Sequence, residues 1–199
     1  MIKAVIFDLN GVFLQSEKLS DRIERDYGVK SAEFIEALIE IMNKVMVPNA
    51  PHSYQFWQPY LQKWNLNLSE EDFLEYWFSG EKLVPELLDY AKELRKQEIM
   101  VFLLSNNFKE RTEYYRKHFP QIFSNVTYAY FSWETGFVKP DQKAYQKVLQ
   151  DNDLSAEDCV YFDDSEKNVN IARALGIHAF QYKGLSEMKE TVDKLIYRY

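Results

Sequence analysis

At 199 residues, 46% hydrophobic and 28% charged, the chain can bury one core plus a smaller appendage and is too apolar for a disordered segment. Its formal net charge of −7 excludes a broad basic surface for nucleic acid and leaves anionic small molecules to a local cluster of cations. No apolar run reaches membrane-spanning length, and a single cysteine, Cys159, excludes an internal disulfide framework.

The chain opens on "KAVIFDL" (3–9), apolar until Asp8, as expected of a strand covered on both faces of a parallel sheet. One lysine and then Asp8 come too early for a secretory signal, so the expected compartment is the cytoplasm. The run continues through Asn10 and Gly11 to Leu14. Residues 15 to about 80 then show no clear strand but four helical stretches, 17–28, 31–46, 53–65 and 69–78. This is the pattern of an inserted helical unit, with Glu17 and Lys18 as solvated charges near its hinge. Within it, 47–60 carries Pro48, Pro51 and Pro59 around His52, Tyr54, Phe56, Trp57 and Tyr60. A helical appendage needs a core of its own, so most of these rings are assigned to it and His52 to a loop. The loop itself is the candidate specificity element.

From residue 84 strands and helices alternate: "VPELLDYAKELRKQ" (84–97), "IMVFLLS" (99–105), "VTYAYF" (126–131), "PDQKAYQKVLQDN" (140–152), "CVYFDD" (159–164), "SEKNVNIARALG" (165–176) and "IHAFQY" (177–182). Pro140 is expected in a first helical turn, Ser165 as a cap and Gly176 as a stop. The alternation predicts an α/β protein with a Rossmann-like parallel sheet, its core formed by 1–14 and 81–199 and interrupted by 15–80. Cys159, ahead of "VYF", reads as an inert buried thiol.

In an open α/β sheet, ligands bind beyond the carboxyl ends of the strands. The first strand ends at Asp8, the second at Ser105-Asn106, the fourth at Asp163-Asp164, and "GFVKPD" sets Lys139 just before a helix. Singly, each has a plain structural explanation: Ser105-Asn106 as a helix cap, Lys139 as a surface lysine, the Asp pair as turn hydrogen bonding. Their joint occurrence at strand termini, in this order, points to one patch.

With "FDLNGV", "LLSNN", "GFVKPD" and "YFDDSEKNVNIARALGI", the sequence resembles the haloacid-dehalogenase superfamily over almost its whole length. It is most similar there to sugar-1-phosphate phosphatases and the phosphatase domain of epoxide hydrolase, and residues 15–80 are similar to that superfamily's helical cap. The resemblance implies a Mg²⁺-dependent phosphatase acting on a small phosphorylated metabolite, a sugar phosphate among the candidates, with neither nucleic acid nor membrane as partner. Asp8 would be the nucleophile that forms an aspartyl-phosphate. Asp8, Asp164 and the backbone carbonyl of Asn10 would hold Mg²⁺, with Asp163 assisting directly or from behind. Ser105 and the N–H of Asn106 would bind the transferred group, and Lys139 would bridge it to the nucleophile.

The departure from the superfamily's pattern lies at Asn10, where its phosphatases carry an aspartate that protonates the leaving oxygen and then deprotonates the attacking water. Asn10 keeps the shape and can donate a hydrogen bond but cannot titrate, a handicap of about 10²–10⁴-fold. Good leaving groups, such as acyl or anomeric phosphates, need the proton least. Three explanations stand side by side: a slow or leaving-group-selective phosphatase, an engineered Asp→Asn change, and loss of phosphatase chemistry. A 2-haloacid dehalogenase also replaces this aspartate, but needs no metal and lacks the paired acids retained here at Asp163-Asp164. A catalytically degenerate protein that binds a phosphorylated ligand or a protein partner is the non-enzymatic alternative.

Overall fold

The apolar run after Lys3 becomes β1 (Ala4–Phe7) at the centre of a five-stranded parallel sheet. A computed structural model of the chain describes residues 1–196. After β1 come β2 (Leu14–Gln15), four helices, α1 (Leu19–Tyr27), α2 (Ser31–Val45), α3 (Tyr54–Lys63) and α4 (Glu70–Phe78), and then β3 (Lys82–Leu83). The chain continues through α5 (Pro85–Lys96), β4 (Met100–Ser105), α6 (Lys109–His118), α7 (Pro120–Ser124), β5 (Tyr128–Phe131) and α8 (Ser132–Thr135). It closes with α9 (Gln142–Asp151), β6 (Cys159–Asp163), α10 (Glu166–Ala174), β7 (His178–Gln181) and α11 (Leu185–Ile196).

The sheet order is β5-β4-β1-β6-β7. Its three middle strands are apolar up to their final residues because both faces are covered. Val5, Phe7, Val101, Leu103, Val160 and Phe162 point into one hydrophobic cluster, and Ala4, Ile6, Phe102, Leu104, Cys159 and Tyr161 into the other. Each such buried side chain of Val or Leu size is worth about 1.5–3 kcal/mol of transfer free energy. On β1, Phe7 lies opposite Leu103 of β4 and Phe162 of β6, so the ends of the three strands fall within two residues of one another. The chain winds outward through β4 and β5 and returns to β6 on the other side of β1. The crevice between β1 and β6 is therefore the point where the winding reverses, the place where such sheets bind ligands.

Between β2 and β3, α1–α4 enclose a separate apolar cluster. Trp57 and Phe73 are fully buried in it, with ring centroids 5.1 Å apart, and Phe34 stacks on Trp57 at 5.2 Å. Phe108, from the segment after β4, also enters this cluster and lies 5.3 Å from Trp77. The rings of 47–60 divide accordingly: Trp57 is at the centre, with Tyr54, Phe56 and Tyr60 partly buried around it.

Several local expectations need correction. A two-residue antiparallel ladder, Leu14 with Leu83 and Gln15 with Lys82, closes the base of the insertion; strands this short leave no periodic signal. Pro140 precedes its helix, which starts at Gln142 and is capped by the Asp141 side chain accepting from the N–H of Lys143 at 2.9 Å. Ser165 stands at the N-cap of α10 without a side-chain cap bond. Helices α6 and α11 were not anticipated. The inward face of α6 is Glu110, Thr112 and Tyr115, polar enough to hide its period. In α11, Leu185, Met188 and Val192 do carry a readable helical spacing.

Candidate active site

Asp8 follows β1 directly, and its backbone N–H donates to the Phe162 carbonyl of β6 at 2.8 Å, which carries the pairing one residue past the strand. That bond sets Asp8 beside Asp163, the last residue of β6. Lys139 reaches the two carboxylates from the loop before α9. Its Nζ lies 3.0 Å from Asp8 Oδ1 and 2.7 Å from Asp163 Oδ2, and the residue is only 4% exposed. The Lys139 backbone is fixed by Asn106, whose Oδ1 accepts from the Lys139 N–H at 2.7 Å and whose Nδ2 donates to the Lys139 carbonyl at 2.8 Å. Asn106 is thus a clamp on the lysine loop and not a helix cap. Ser105 is buried, and its Oγ has no hydrogen-bond partner.

Asp163 is fully buried and spends both oxygens on the protein. Oδ2 accepts from Lys139 and from the Tyr161 hydroxyl, and Oδ1 from the Ser165 N–H at 2.8 Å. Asn168 Nδ2 lies 3.2 Å from Oδ1 and 3.0 Å from Oδ2. Asp164, the next residue, is exposed. It approaches the loop after β1 so closely that a Cβ on Gly11 would lie 2.4 Å from Asp164 Oδ2, and Gly11 adopts φ +85°. A side chain at position 11 is excluded both by that contact and by backbone strain. One carboxylate oxygen from each of Asp8, Asp163 and Asp164 falls within 4.8 Å of the other two.

Burial is the largest influence on Asp8 and pushes its carboxyl up to about 7, with Lys139 pulling against the rise and Asp163 adding to it. Although the residue as a whole is exposed, partial burial of its carboxyl group, then the neighbouring Asp163 charge, also raises Asp164. At Asp163 burial again opposes ionisation, but the Lys139 charge and the bonds from Lys139, Tyr161 and Ser165 outweigh it, so this carboxyl stays below its ordinary value. Burial works against the Lys139 ammonium, and the Asp8 and Asp163 carboxylates outweigh it. Three carboxylates therefore gather about one ammonium, and two of the three are raised above their ordinary values. All-oxygen donors with surplus negative charge suit a hard divalent cation.

Asn10 lies on the other side of Asp8, where its Nδ2 donates to Tyr115 Oη at 2.7 Å and lies 3.4 Å from Glu81 Oε2. The Tyr115 hydroxyl donates to Glu81, and Arg111 binds Glu81 Oε1 through Nε at 2.8 Å. The buried Asn10 Oδ1 has no partner. The expectation that Asn10 offers a donor to a ligand does not hold in this arrangement, because its N–H groups are already engaged.

The site residues read from the sequence, Asp8, Asn10, Ser105, Asn106, Lys139, Asp163 and Asp164, all lie at this end of the sheet. Missed were Glu81, Arg111, Tyr115, Tyr161, Asn168 and Gly11. Tyr161 was within reach of the sequence, since it stands two residues before Asp163 on the same strand face. Glu81, Arg111 and Tyr115 gave no signal, being single polar residues brought in by a hinge and an unexpected helix. Cys159 is buried away from this end, and burial pushes its thiol up to about 12.

The 47–52 loop leans on the core: a Cβ on Gly136 would lie 3.5 Å from Pro48 Cγ. Val47, Asn49, His52, Lys109, Glu110 and Trp133 are among the residues lining a cavity of about 260 Å³ there. His52 faces Glu110 at 3.1 Å and Glu70 at 3.3 Å.

Over residues 2–176 the sequence matches the haloacid dehalogenase-like hydrolase family. The chain belongs to that family. Among solved structures, a HAD family enzyme from Bacteroides thetaiotaomicron, a mutant in complex with magnesium and inorganic phosphate, aligns with TM-score 0.79 and 21% identity, covering 94% of this chain and 99% of its own. A predicted HAD-like family hydrolase from Porphyromonas gingivalis aligns with TM-score 0.78 and 21% identity, covering 96% and 98%. A HAD phosphatase from Thermococcus onnurineus gives TM-score 0.64 and 18% identity, covering 96% and 98%. These likenesses establish the α/β fold of this HAD-like hydrolase. No helix among the described residues is long and apolar enough to cross a membrane.

Proposed function

We propose that this hydrolase is a Mg²⁺-dependent phosphatase that acts on a small phosphorylated metabolite through an aspartyl-phosphate on Asp8. One observation carries the reading: Lys139 bridges Asp8 and Asp163 inside a carboxylate trio with more negative charge than one ammonium neutralises. A dehalogenase attacking carbon has no use for such a trio, whereas attack on a phosphate dianion needs cations at the nucleophile. Asp8, Asp164 and the Asn10 carbonyl would hold the ion, and Asp163, with both oxygens occupied, would stay behind and orient Lys139. When bound, Mg²⁺ supplies positive charge that offsets the phosphoryl oxygens and favours the ionised form of Asp8.

The chain's own groups then divide the work. Two contacts hold Asp8 at Oδ1, the Lys139 ammonium and the Leu9 N–H at 2.7 Å, which fix the carboxylate and leave Oδ2 for attack. The Ser105 hydroxyl, buried and unpartnered, and the Asn106 N–H would receive phosphoryl oxygens. Asn106 would also hold the Lys139 loop at the distance the reaction requires. Asn10, unable to titrate, leaves departure of the alcohol unassisted, so the enzyme is selective for good leaving groups. Residues 15–80 would act as the cap, with the 47–52 loop and its cavity choosing among metabolites such as sugar phosphates. The neighbouring magnesium–phosphate complex from B. thetaiotaomicron supports the choice of ion and substrate class.

The test is a substrate panel with Mg²⁺. Acetyl and para-nitrophenyl phosphate should release phosphate faster than alkyl phosphates, and Asp8→Asn should abolish release. Equal rates on both classes would remove the leaving-group reading. Magnesium-independent halide release from a 2-haloacid would replace the phosphatase by a dehalogenase.

A further inference from the structure

The acid–base position of the site is tied into a polar network that the chemistry above does not use. Glu81 stands between α4 and β3, at the hinge of the insertion, yet its side chain is only 2% exposed. A buried carboxylate must be paired, and this one is paired on both oxygens. Oε1 accepts from the Arg111 guanidinium at 2.8 Å (Nε) and 2.6 Å (the terminal nitrogen), while Oε2 faces Tyr115 and Asn10. A carboxylate so fully engaged beside a guanidinium is a strong fixed acceptor.

The network decides which way the Asn10 amide points. Tyr115 has one hydroxyl proton and gives it to Glu81, so it can offer Asn10 only a lone pair. Glu81, ionised, also offers only lone pairs. Both neighbours demand a donor, and the only donor on the Asn10 side chain is its NH₂. The carbonyl oxygen, Oδ1, is therefore turned away from them, and it is the atom left buried and unpartnered. Turning the amide over would set a carbonyl oxygen against a phenol lone pair and a carboxylate, an arrangement that leaves the carbonyl and phenol oxygens with no proton between them.

We propose that Glu81 and Tyr115 are positioning residues that hold the Asn10 NH₂ to themselves, so that this position offers no hydrogen-bond donor where the leaving oxygen departs. The inference rests on the phosphatase reading and sharpens its substrate class. In the first step Asp8 Oδ2 forms a bond to phosphorus, the bond from phosphorus to the leaving oxygen breaks, and that oxygen departs with the electron pair and takes its proton from water. An amide whose N–H groups are spent on Glu81 and Tyr115 gives that departing anion no help. In the second step water attacks phosphorus, the Asp8–phosphorus bond breaks, the carboxylate is restored, and both water protons leave with dihydrogen phosphate. The lock thus confines substrates to those that expel a stable anion, such as acyl, enol or anomeric phosphates.

Two readouts test this. In NMR of the protein without substrate, the Asn10 NH₂ resonances, assigned by their loss in Asn10→Asp, should exchange with solvent at least about tenfold more slowly than those of exposed asparagines. Tyr115→Phe and Glu81→Gln should remove most of that protection. In kinetics over aryl phosphates of graded leaving-group acidity, both variants should flatten the dependence on leaving group by letting N–H face the site. Rates on the poorest leaving groups should rise relative to the best by about tenfold, the worth of one hydrogen bond. A merely structural role predicts a parallel fall on every substrate, and that result, or an Asn10 amide exchanging like an exposed one, overturns the lock. Slow amide exchange in a protein that releases no phosphate from any substrate would leave the lock standing and reject the phosphatase. Glu81→Gln keeps the shape of the network and Tyr115→Phe removes a single oxygen, so either variant serves if the other fails to fold.

Discussion

Gly11 shows how narrowly the site is drawn at the scale of one residue. Its φ of +85° and the 2.4 Å separation between a hypothetical Cβ and Asp164 Oδ2 mean that an alanine there must strain the backbone and displace a carboxylate. Gly11→Ala should lower stability by about 1–3 kcal/mol in urea unfolding and weaken Mg²⁺ binding in calorimetry. Unchanged affinity would show that Asp164 does not hold the ion. Asn10→Asp is the complementary change. It restores a titratable group, and turnover of alkyl phosphates should rise by about a hundredfold, with a smaller gain on acetyl phosphate, whose leaving group needs no proton. An equal gain on both would mean that Asn10 limits something other than departure. Asp8 and the Asp163-Asp164 pair were legible in the sequence because the physics of strand tips is local: an apolar run that stops at a carboxylate announces itself; Lys139, in a loop, was legible only through the motif resemblance. Glu81 and Tyr115 were not legible, because they meet Asn10 only through the folding of a hinge against α6.

Among the elements, the helical insertion stands on its own ring cluster, and Trp57 is its keystone, touching Phe34, Phe73 and Trp77 at 5.1–5.7 Å between centroids. Trp57→Ala should cost about 3–5 kcal/mol, measured as a shifted urea midpoint; a loss below about 1 kcal/mol would mean that the insertion does not depend on this core. The same unit is laced by carboxyls held below their ordinary range. Bonds from Arg25 and Tyr76 lower Asp26, those from Lys63 and Trp64 lower Glu33, and those from Lys44 and Tyr60 lower Glu40. Since the unfolded chain binds these protons first, the stability they contribute is complete above the ordinary carboxylate values near about 4 and is lost as pH falls through the folded ones. Replacing Arg25, Lys44 and Lys63 by Gln should therefore reduce the stability lost between about pH 6 and about pH 3, followed through Trp57, Trp64 and Trp77 fluorescence. An identical loss in the variant would remove these pairs from the account. The four helices here were readable from their period, whereas the two-residue ladder that closes them was too short to show one. Helix α6 was hidden for a different reason: its buried face is polar because it serves the site and Glu81.

For the molecule as a whole, one arrangement connects fold and chemistry. Winding reverses at β1, the central strands end within two residues of one another, and everything polar on their tips is delivered to a single crevice, with the insertion hinged beside it. The parallel sheet and its order of motifs follow from apolar runs alternating with helices, which is why the architecture was legible well before any side-chain geometry. The central claim is that Asp8 accepts a phosphoryl group there. Its most direct measurement is intact-protein and peptide mass spectrometry after brief incubation with acetyl phosphate and Mg²⁺, quenched in acid. A phosphoryl adduct confined to the peptide containing Asp8, absent without Mg²⁺ and absent in Asp8→Asn, is the predicted result. Phosphate release with no adduct at Asp8, or an adduct that persists in Asp8→Asn, would contradict it.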